Sequence, residues 1–281
     1  MICYSVILYN KRVDDSVTLS NLRKFVNNSD IIVFDNSTKD EIRLSNQKYF
    51  KDRNYIYLSN PQKNIGLSKA YNEVLCHILS NKEKQYNYIC WLDDDTEISQ
   101  TFLYELNEGA KKEADIIVPK IYGQDGKIYS PNEAGLLKNK LVLNNEKDIK
   151  NEKFNAINSC LTVKLKIYEN YKYNEILFLD QVDQLFFDSL EKSSLKFCIL
   201  DVIILQDFSQ RNENLGTSYL QRFKIRTKDL IFYGKLSPKN NIFFTYFKNI
   251  FLGLNFSLKT RCSAYFFIGV SSIKYLFRNW R

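Results

Sequence analysis

The stretch YICWLDDDTEIS, Tyr88–Ser99, joins a short apolar run to three consecutive aspartates. The run Tyr88–Leu92 predicts a buried strand that ends where Asp93–Asp95 begin. Neighbouring like charges repel one another, and a carboxylate that is buried alone costs much free energy. Three carboxylates at the end of a buried strand therefore suggest a function that offsets their repulsion, such as binding a cation. A solvated acidic turn is the alternative interpretation.

The segments around this strand alternate between strand and helix patterns. Apolar runs predict strands at residues 2–9, 30–35, 54–59, 86–93 and 114–119. Apolar residues at helical spacing predict helices at residues 17–26 and 66–79, and Ser99 is placed to cap a third helix reaching about Lys112. Strands that alternate with helices indicate an α/β fold with a mostly parallel sheet covered on both faces. Short strands and turns follow Pro119, then an amphipathic segment, Leu177–Leu190, and a last strand at residues 197–205.

Length and composition favour one large domain, or one domain with an appendage. The chain has 281 residues, 44% of them hydrophobic, which is enough to build a sizeable core. Its six cysteines include no CxxC pair, so we expect small buried side chains in a reducing cytoplasm. The start of the chain lacks a signal-peptide pattern, and no run of about 18 uncharged apolar residues predicts a membrane-spanning helix.

Charge divides the chain near residue 210. From Arg211 onward there are 13 lysine or arginine residues and two acidic ones, a net charge of +11, whereas the whole chain carries +8. Residues 1–210 therefore carry a net charge of −3. We predict a domain at residues 1–210 and a helical, basic and aromatic extension at residues 211–281, which is suited to an anionic partner.

The extension contains a segment that becomes amphipathic when it is placed on a helix. Residues 241–259 then carry an apolar stripe about 120° wide. The stripe consists of Phe243, Phe244, Phe247, Ile250, Phe251, Leu254 and Leu258. It could pack on the first domain or on a second subunit, or it could enter an anionic membrane surface whose headgroups the cations meet. We favour the membrane, keep a homodimer as the alternative and expect no nucleic-acid partner.

Acidic residues also end the second predicted strand. Asp35 closes the strand at residues 30–35, and Asp93–Asp95 close the strand at residues 86–93. In an open parallel sheet, ligands bind beyond the carboxyl ends of the strands, so both groups should share one rim. Because side chains alternate along a strand, Asp93 and Asp95 should face one way and Asp94 the other. Two carboxylates on one side suit a hard divalent cation, which can itself bind phosphate oxygens.

Six segments occur in an order that resembles the family 2 glycosyltransferases, which have the nucleotide-binding GT-A fold. They are YNKR (9–12), IIVFDNST (31–38), NIGLSKAYN (64–72), WLDDDTEI (91–98), INSCLTV (157–163) and LFLDQVDQLFF (177–187). The last is similar to the late acidic motif of bacterial rhamnosyltransferases. The resemblance covers roughly Ile2 to Phe208, and it lies in the order and spacing of the segments together.

The resemblance implies a donor site for a nucleotide-sugar. Its residues would be Asp35, Asn36, Ser37, Asn64, Gly66 and Asn72. Asp35 would accept a hydrogen bond from the nucleotide base, and the two residues after it would shape the turn. The other three would line the donor pocket, where Gly66 would permit close backbone approach.

The resemblance also implies roles for the aspartates after the fourth strand. Asp93 would contact the ribose or the donor sugar, with Asp94 beside it in the donor site, and Asp95 would ligate a Mg²⁺ or Mn²⁺ that bridges the diphosphate. Many relatives supply a further metal ligand, a histidine after the last strand. That stretch is LQDFSQ here, so Asp207 is the candidate substitute. The only histidine, His77, lies in a predicted helix and is expected to be structural.

An inverting transfer, which the resemblance implies, needs a general base on the face opposite the diphosphate. The candidates are Asp180 and Asp183 in the segment FLDQVDQ. They are three residues apart at a predicted helix start, so both could face the pocket. Many relatives have Glu-Asp where this chain has Asp180–Gln181, and a glutamine cannot serve as the base. We favour Asp180 over Asp183; alternatively, both are charges that a helix N-terminus favours.

Together these features predict a metal-dependent inverting hexosyl- or rhamnosyltransferase with a dTDP- or UDP-linked donor. The acceptor would be a lipid-linked bacterial surface glycan, such as a capsule precursor, and the enzyme would act from the cytoplasm at the inner face of the membrane. Two alternatives stay open. One is a non-catalytic scaffold, given Gln181 and the missing histidine. The other is a nucleotidyltransferase, which would normally show a glycine-rich loop after the first strand, whereas YNKRVDDS has no glycine.

Overall fold

The structure is a computed structural model, and it describes residues 1–51, 53, 55–81, 85–135, 139–141, 149–208 and 216–277. Its strands are β1 Ile2–Leu8, β2 Ile31–Asp35, β3 Ile56–Ser59, β4 Tyr88–Leu92, β5 Ile116–Gly123, β6 Ile128–Ser130, β7 Asn132–Glu133, β8 Lys140–Leu141, β9 Phe154–Asn155, β10 Thr162–Lys164 and β11 Phe197–Gln206. Its α-helices are α1 Val17–Phe25, α2 Asp40–Phe50, α3 Leu67–Ser80, α4 Gln100–Lys111, α5 Val182–Ser189, α6 Leu220–Leu236, α7 Ile242–Thr260 and α8 Ala264–Ser271.

The central sheet is mixed but mostly parallel. Within the described residues its order is β11–β5–β10–β4–β1–β2–β3, with β6 also paired to β5. Strand β1 runs parallel to β2 and β4, β2 to β3, and β5 to β11, whereas β10 is antiparallel to both of its neighbours. The strands β8, β7 and β9 form a second, small sheet. The prediction of an α/β fold with a mostly parallel sheet is therefore confirmed.

The register of the parallel strands places their carboxyl ends on one edge. Leu8 of β1 pairs with Asp35 of β2, and Val6 of β1 pairs with Leu92 of β4. The residues that follow these three strands, including Asp93, therefore emerge at the same edge, which is called the rim below. This is the edge where a parallel sheet binds its ligands.

Alternating side chains build a core on each face of the sheet. On β4, Ile89 and Trp91 belong to the cluster that includes buried residues of α3 and α5. Cys90 and Leu92 belong to the opposite cluster, which includes buried residues of α1 and α4. All five residues of β4 are buried, because both faces of the strand are covered. A strand in this situation has a continuous apolar sequence instead of an alternating one.

Helix boundaries follow local capping where the sequence supplies it. The predicted cap is confirmed: the Ser99 hydroxyl accepts a hydrogen bond from the backbone N–H of Phe102 (3.1 Å) at the start of α4. Helix α2 was not predicted, because Asn46 and Phe50 are the only residues that it buries and it has no apolar stripe. The amphipathic segment Leu177–Leu190 forms a helix only from Val182 to Ser189.

The extension is helical, as predicted, and consists of α6, α7 and α8. The predicted domain boundary at 210–211 lies outside the described residues. Helix α6 contributes Leu230, Ile231, Phe232 and Tyr233 to the same core cluster as Trp91. Among the helices that the structure describes, none combines the length and apolar character needed to cross a bilayer.

The cysteines are unpaired and only partly follow the expectation of burial. Cys3, Cys90 and Cys160 are buried in the core. Cys76 is exposed on α3, while Cys198 and Cys262 are half-buried. The expectation that all six are buried is therefore wrong for Cys76, which lines an open groove beside α3.

Candidate functional site

Asp35 is the last residue of β2 and is completely buried at the rim. Its carboxylate accepts hydrogen bonds from the N–H of Ser37 (3.0 Å), from Nδ2 of Asn46 (2.9 Å) and from the hydroxyl of Tyr57 (3.0 Å). The Ser37 hydroxyl in turn accepts one from the N–H of Asn10 (2.8 Å). Three protein donors thus hold the Asp35 carboxylate, which the structure closes off from solvent.

Helix α2 supplies two polar residues that the sequence did not suggest. Besides Asn46, the guanidinium of Arg43 donates to the backbone oxygens of Asp35 (3.3 Å), Ser37 (3.2 Å) and Asn60 (2.9 Å). These bonds tie the turn after β2 to the turn after β3. No motif marks these residues, because they belong to a mostly polar helix and are identified only by their contacts.

A series of amide hydrogen bonds joins Asn36 to the segment before α3. Nδ2 of Asn36 donates to Oδ1 of Asn64 (3.0 Å), and Oδ1 of Asn36 accepts from the N–H of Ile65 (2.9 Å). Oδ1 of Asn64 also accepts from the N–H of Gly66 (3.0 Å). The structure thus brings Asn36, Asn64 and Gly66 together at the rim.

Gly66 holds a conformation and a space that other residues would not tolerate. Its φ is +85°, and a Cβ atom there would lie 2.8 Å from both the ring and the carbonyl oxygen of Phe178. The next residue, Leu67, donates its backbone N–H to that same carbonyl oxygen (2.6 Å). The close approach at Gly66 is therefore an approach to the segment that carries Asp180.

Asn72 lies in α3 and is used by neighbouring protein groups. Its amide exchanges hydrogen bonds with the backbone N–H (3.0 Å) and carbonyl (2.9 Å) of Tyr173, and Nδ2 also donates to the Glu175 carboxylate (3.1 Å). It borders a groove of about 580 Å³ between α3, the loop after β3 and residues 168–175. The Asn72 amide therefore positions the 173–175 segment, and its predicted place in the donor pocket remains a prediction.

The three aspartates after β4 have different surroundings. Strand β4 ends at Leu92, so all three lie in the turn beyond it. Asp93 is half-buried, and its Oδ2 accepts a hydrogen bond from Nε2 of Gln206 (2.8 Å). Asp94 forms an ion pair with Nζ of Lys11 (2.5 Å). Asp95 is exposed, and no described residue forms a hydrogen bond or ion pair with its carboxylate.

Burial and the neighbouring carboxylates raise the pKa of both Asp93 and Asp94. Burial, followed by the charge of Asp95, raises the pKa of Asp93 to about 6, while the hydrogen bond from Gln206 opposes the shift. Burial also raises the pKa of Asp94, although the ion pair with Lys11 opposes this. A cation bound beside Asp93 and Asp95 would offset the repulsion between them.

The chemical type of these side chains fits a hard divalent cation. Asp93 and Asp95 offer carboxylate oxygens, the ligands that Mg²⁺ and Mn²⁺ prefer. Asp207 is exposed and directly follows Gln206, whose amide binds Asp93, so β11 brings Asp207 towards the same cluster. In the described part of the chain, no three His, Cys, Asp or Glu side chains form a ready-made metal site. His77 lies in the last turn of α3.

Asp180 is held by the extension. The guanidinium of Arg222 on α6 contacts both of its carboxylate oxygens, with Nη2 donating to Oδ1 (3.2 Å). Gln181 adopts a left-handed conformation (φ +65°), and α5 begins only at Val182. Asp180 therefore precedes the helix, and the expected helical spacing from Asp183 does not determine where the two carboxylates point.

Asp183 lies in the first turn of α5, in the field of Asp93 at the rim. Its Oδ1 accepts the N–H of Gln184 (2.8 Å), and burial, followed by the charges of Asp180 and Asp93, raises the pKa of Asp183 to about 6. Tyr71, buried on α3, lies in the fields of both Asp93 and Asp183, and burial together with these charges raises its pKa. Asp183 therefore belongs electrostatically to the same site as the rim aspartates.

Asp229 on α6 is a further site residue that the sequence did not reveal. Its Oδ2 accepts three consecutive backbone N–H groups, those of Phe178 (3.1 Å), Leu179 (2.8 Å) and Asp180 (2.9 Å). It is completely buried, and this burial raises its pKa to about 6. Asp229 lies about 50 residues from its partners in the chain, so no local motif could have identified it.

Comparisons with known proteins show the family and the fold of the chain. Residues 6–172, more than half of the chain, match the model of the family described as glycosyl transferase family 2. Comparison with curated protein sequences finds no match. The matched residues include the rim aspartates and end before Asp180 and Asp183.

Solved structures resemble the whole described fold at low identity. The structure of GalNAc-T7 with UDP, GalNAc and Mn²⁺ has a TM-score of 0.57 and 15% identity, and the match covers 98% of this chain and 56% of that one. This chain therefore spans little more than half the length of that protein. The structure of S. aureus TarS 1–349 with UDP has a TM-score of 0.51 and 16% identity, with 91% and 72% of the two chains covered. These likenesses concern the fold, and the family match shows that the chain belongs to glycosyl transferase family 2.

Proposed function

We propose that the protein is a metal-dependent inverting glycosyltransferase that transfers a sugar from a nucleotide-sugar to a hydroxyl of a lipid-linked bacterial surface glycan. The proposal is carried by a family 2 fold in which Asp93 and Asp95 follow β4 at the rim, while Asp183, in the first turn of α5, lies in the field of Asp93. One side of this site offers oxygens for a cation, and the other offers a partly buried carboxylate that can take a proton.

The donor is proposed to be a dTDP- or UDP-linked sugar. The similar structures of GalNAc-T7 and TarS contain UDP, which supports a nucleoside diphosphate at the rim. Asn36, Asn64 and Gly66 already form a hydrogen-bonded turn there, next to Asp35, which is the proposed acceptor for the base. The late acidic motif supports a rhamnosyl donor, and the UDP complexes support a hexosyl donor.

Asp95 and Asp93 are the residues proposed to hold Mn²⁺ or Mg²⁺, with Asp207 as an additional oxygen ligand. The Mn²⁺ in the GalNAc-T7 structure supports this choice of ion. Such an ion, when bound, neutralises the diphosphate as it leaves. The protein side chains by themselves leave Asp95 exposed and near Asp93, where a cation relieves their repulsion.

Asp183 is proposed as the general base in preference to Asp180. Both oxygens of Asp180 are engaged by Arg222, whereas Asp183 has a raised pKa and lies in the field of Asp93. In the transfer step the acceptor oxygen forms a bond to the anomeric carbon as the bond to the diphosphate breaks. The hydroxyl proton passes to the Asp183 carboxylate, and the diphosphate leaves with the bonding electron pair.

The acceptor is proposed to be lipid-linked, so that the enzyme works at the inner face of the cell membrane. Support comes from the charge of the extension, +11 from Arg211 onward, which would hold the protein near anionic headgroups. A lipid-linked acceptor cannot diffuse into the cytoplasm, so the enzyme must come to the surface that contains it.

The test is release of nucleoside diphosphate by the full-length chain from a panel of dTDP- and UDP-sugars. Each donor is assayed with Mn²⁺, with Mg²⁺ and with EDTA, with and without a lipid extract that supplies the acceptor. We expect one donor to be consumed only with a divalent cation, and faster with the extract. Binding of a nucleotide-sugar without any release would instead identify a scaffold, and release in EDTA would contradict the metal site.

A further inference from the structure

Helix α7 has its polar and apolar faces reversed relative to a surface helix in water. The residues that it buries are mostly small or polar, namely Thr245, Asn249, Gly253 and Phe256. Its exposed large apolar residues are Phe243, Phe244, Phe247, Phe251, Leu254 and Leu258. A helix on the surface of a soluble protein normally turns such a stripe towards the core. The outward side of α7 is therefore suited to an apolar medium.

The stripe cannot be buried by rotating α7, because close contacts fix its orientation. Asn249 donates from Nδ2 to the Thr227 carbonyl of α6 (2.8 Å) and to the Ser272 hydroxyl (3.1 Å). A Cβ on Gly253 would lie 2.7 Å from the Tyr265 carbonyl oxygen, and one on Gly269 of α8 would lie 2.5 Å from the Asn249 carbonyl oxygen. Small residues thus hold α7 against its neighbours by its polar side.

The exposed stripe is large for a single surface feature. Phe243, Phe251 and Leu258 are 64%, 68% and 73% exposed, and they span most of the length of α7. The neighbouring helix α8 exposes Phe267. Contiguous apolar surface of this kind marks an interaction site, whereas single exposed apolar residues do not.

The charge around the stripe indicates the nature of the partner. From residue 230 to the end, the chain has eight lysine or arginine residues and no aspartate or glutamate. Lys259 and Arg261, at the end of α7, are exposed. Two copies of this surface would bring like charges together in a symmetric dimer, which opposes self-association. Apolar side chains flanked by cations instead match a bilayer with anionic headgroups.

We propose that α7 lies flat on an anionic phospholipid bilayer, with the aromatic stripe in the boundary between headgroups and acyl chains. The cations of the extension then meet the headgroup phosphates. The proposal rests on the membrane location in the proposed function and deepens it by naming the surface that makes the contact. This surface uses no residue assigned to the transfer reaction, so it can be tested separately from catalysis.

The test is flotation of the full-length chain with vesicles of phosphatidylglycerol and phosphatidylcholine, or of phosphatidylcholine alone. We expect binding to the anionic vesicles, weaker binding when salt rises from about 0.05 M to about 0.5 M, and none to the neutral vesicles. The double variant Phe247→Ser, Phe251→Ser should bind the anionic vesicles roughly tenfold more weakly or worse. The matched control is Tyr104→Ser, Leu44→Ser, which removes two exposed apolar side chains outside the extension and should bind like the parent.

A second measurement distinguishes insertion from simple charge attraction. In a Phe251→Trp variant, the new indole should shift its emission to the blue with anionic vesicles and be quenched by brominated lipid. Three results would overturn the proposal: equal binding by the parent and the stripe variant, no quenching in vesicles that bind the protein, or a stable dimer that only the stripe variant dissociates. Each of these results would also remove the support for a membrane-bound acceptor, but would leave the proposed donor and transfer chemistry untouched, because none of them measures transfer.

Discussion

Asp180 and Asp183 are three residues apart, but the protein surrounds them with opposite charges. Asp180 contacts the Arg222 guanidinium, whereas Asp183 lies in the fields of Asp180 and Asp93. A base must be ionised to accept a proton and must still bind that proton well. A carboxylate with a raised pKa meets both conditions near neutral pH, which is why the two residues are expected to differ in function.

We expect Asp183→Asn to slow transfer by roughly 10²–10⁴-fold with little change in nucleotide affinity. Asp180→Asn, which only removes an ion pair, should have the smaller effect. Because the pKa of Asp183 is raised to about 6, kcat/KM should rise with pH through about 6 and then level off. Kinetics of both variants, together with calorimetric titration of the nucleotide, check this. The opposite ranking would assign the base to Asp180.

The same substitution should change stability in a pH-dependent way. The folded pKa of Asp183 is above its unfolded value, so ionisation opposes folding and stability is lost as pH rises from about 4 to about 6. Asparagine cannot ionise, so Asp183→Asn should be more favourable to folding at pH 7 than at pH 4, by about 1–2 kcal/mol. Urea unfolding at the two pH values measures this difference, and an equal effect at both would contradict the raised pKa.

Replacement of Asp95 tests the metal site with a nearby control. We expect Asp95→Ala to abolish transfer and to remove the effect of Mn²⁺ on nucleotide binding, while the melting temperature changes little because the side chain is exposed. Glu97→Ala removes another exposed carboxylate two residues away and should leave both properties intact. Near-normal turnover of Asp95→Ala would show that the metal ligands lie elsewhere.

Alanine substitutions at Gly66 and Gly126 distinguish the cost of backbone strain from the cost of steric crowding. Both have positive φ, +85° and +70°, but a Cβ would meet Phe178 at Gly66 and nothing within 4 Å at Gly126. Gly126→Ala should lower the free energy of unfolding by about 1 kcal/mol, and Gly66→Ala by about 2–4 kcal/mol. Urea unfolding of both variants is the measurement. Equal losses would mean that Phe178 moves aside freely.

At the scale of secondary-structure elements, α6 joins the extension to the segment that carries both base candidates. Asp229 binds the three N–H groups before Gln181, and Arg222 binds the side chain of Asp180. On the opposite side, Gly66 and Leu67 of the α3 start contact Phe178. The segment is thus held between α3, which lies within the matched residues 6–172, and α6, which lies outside them.

We expect Asp229→Ala to lower kcat and the free energy of unfolding together. It leaves three partly buried N–H groups without their acceptor, which should cost about 2–4 kcal/mol, and it frees the segment that positions Asp183. Asp188 provides the control, because this buried carboxylate also joins α5 to α6, through the hydroxyls of Tyr233 (2.6 Å) and Ser237 (2.7 Å). Asp188→Ala should lose stability but keep a larger share of kcat. Kinetics and urea unfolding of both variants measure these losses. An equal loss of kcat in the two variants would contradict a positioning role for Asp229.

At the scale of the whole molecule, one part of the extension packs into the core and another part lies on the surface. Four consecutive residues of α6, Leu230–Tyr233, are buried in the cluster that contains Trp91. The outer side of α7 is the part that faces solvent. The extension is thus continuous with the core at α6 and free of it along the stripe.

Two truncations should therefore behave differently. A chain that ends at Phe208 lacks α6, exposes one side of the main core and should lose its cooperative thermal transition. A chain that ends at Leu236 keeps Asp229 and the four core residues, so it should keep a cooperative transition at a lower melting temperature. Calorimetry of both chains is the check. Cooperative unfolding of the shorter chain would mean that residues 1–208 fold alone.

Features that depend on neighbouring residues could be predicted from the sequence alone. Apolar runs, helical spacing and the Ser99 cap depend on local periodicity and capping, and the rule for parallel sheets then placed Asp35 and Asp93 on one rim. Helix α2 was missed because it buries only Asn46 and Phe50, too little to produce an apolar stripe.

Which of the predicted groups contact each other could be seen only from the folded chain. The segment with Asp180 meets Arg222 and Asp229 across some 40 to 50 residues of chain, and no periodic signal encodes a contact at that separation. The stripe on α7 is equally apolar whether it packs inward or faces outward. Its direction follows from Asn249, Gly253 and Gly269, whose hydrogen bonds and close backbone contacts bind the opposite side of the helix.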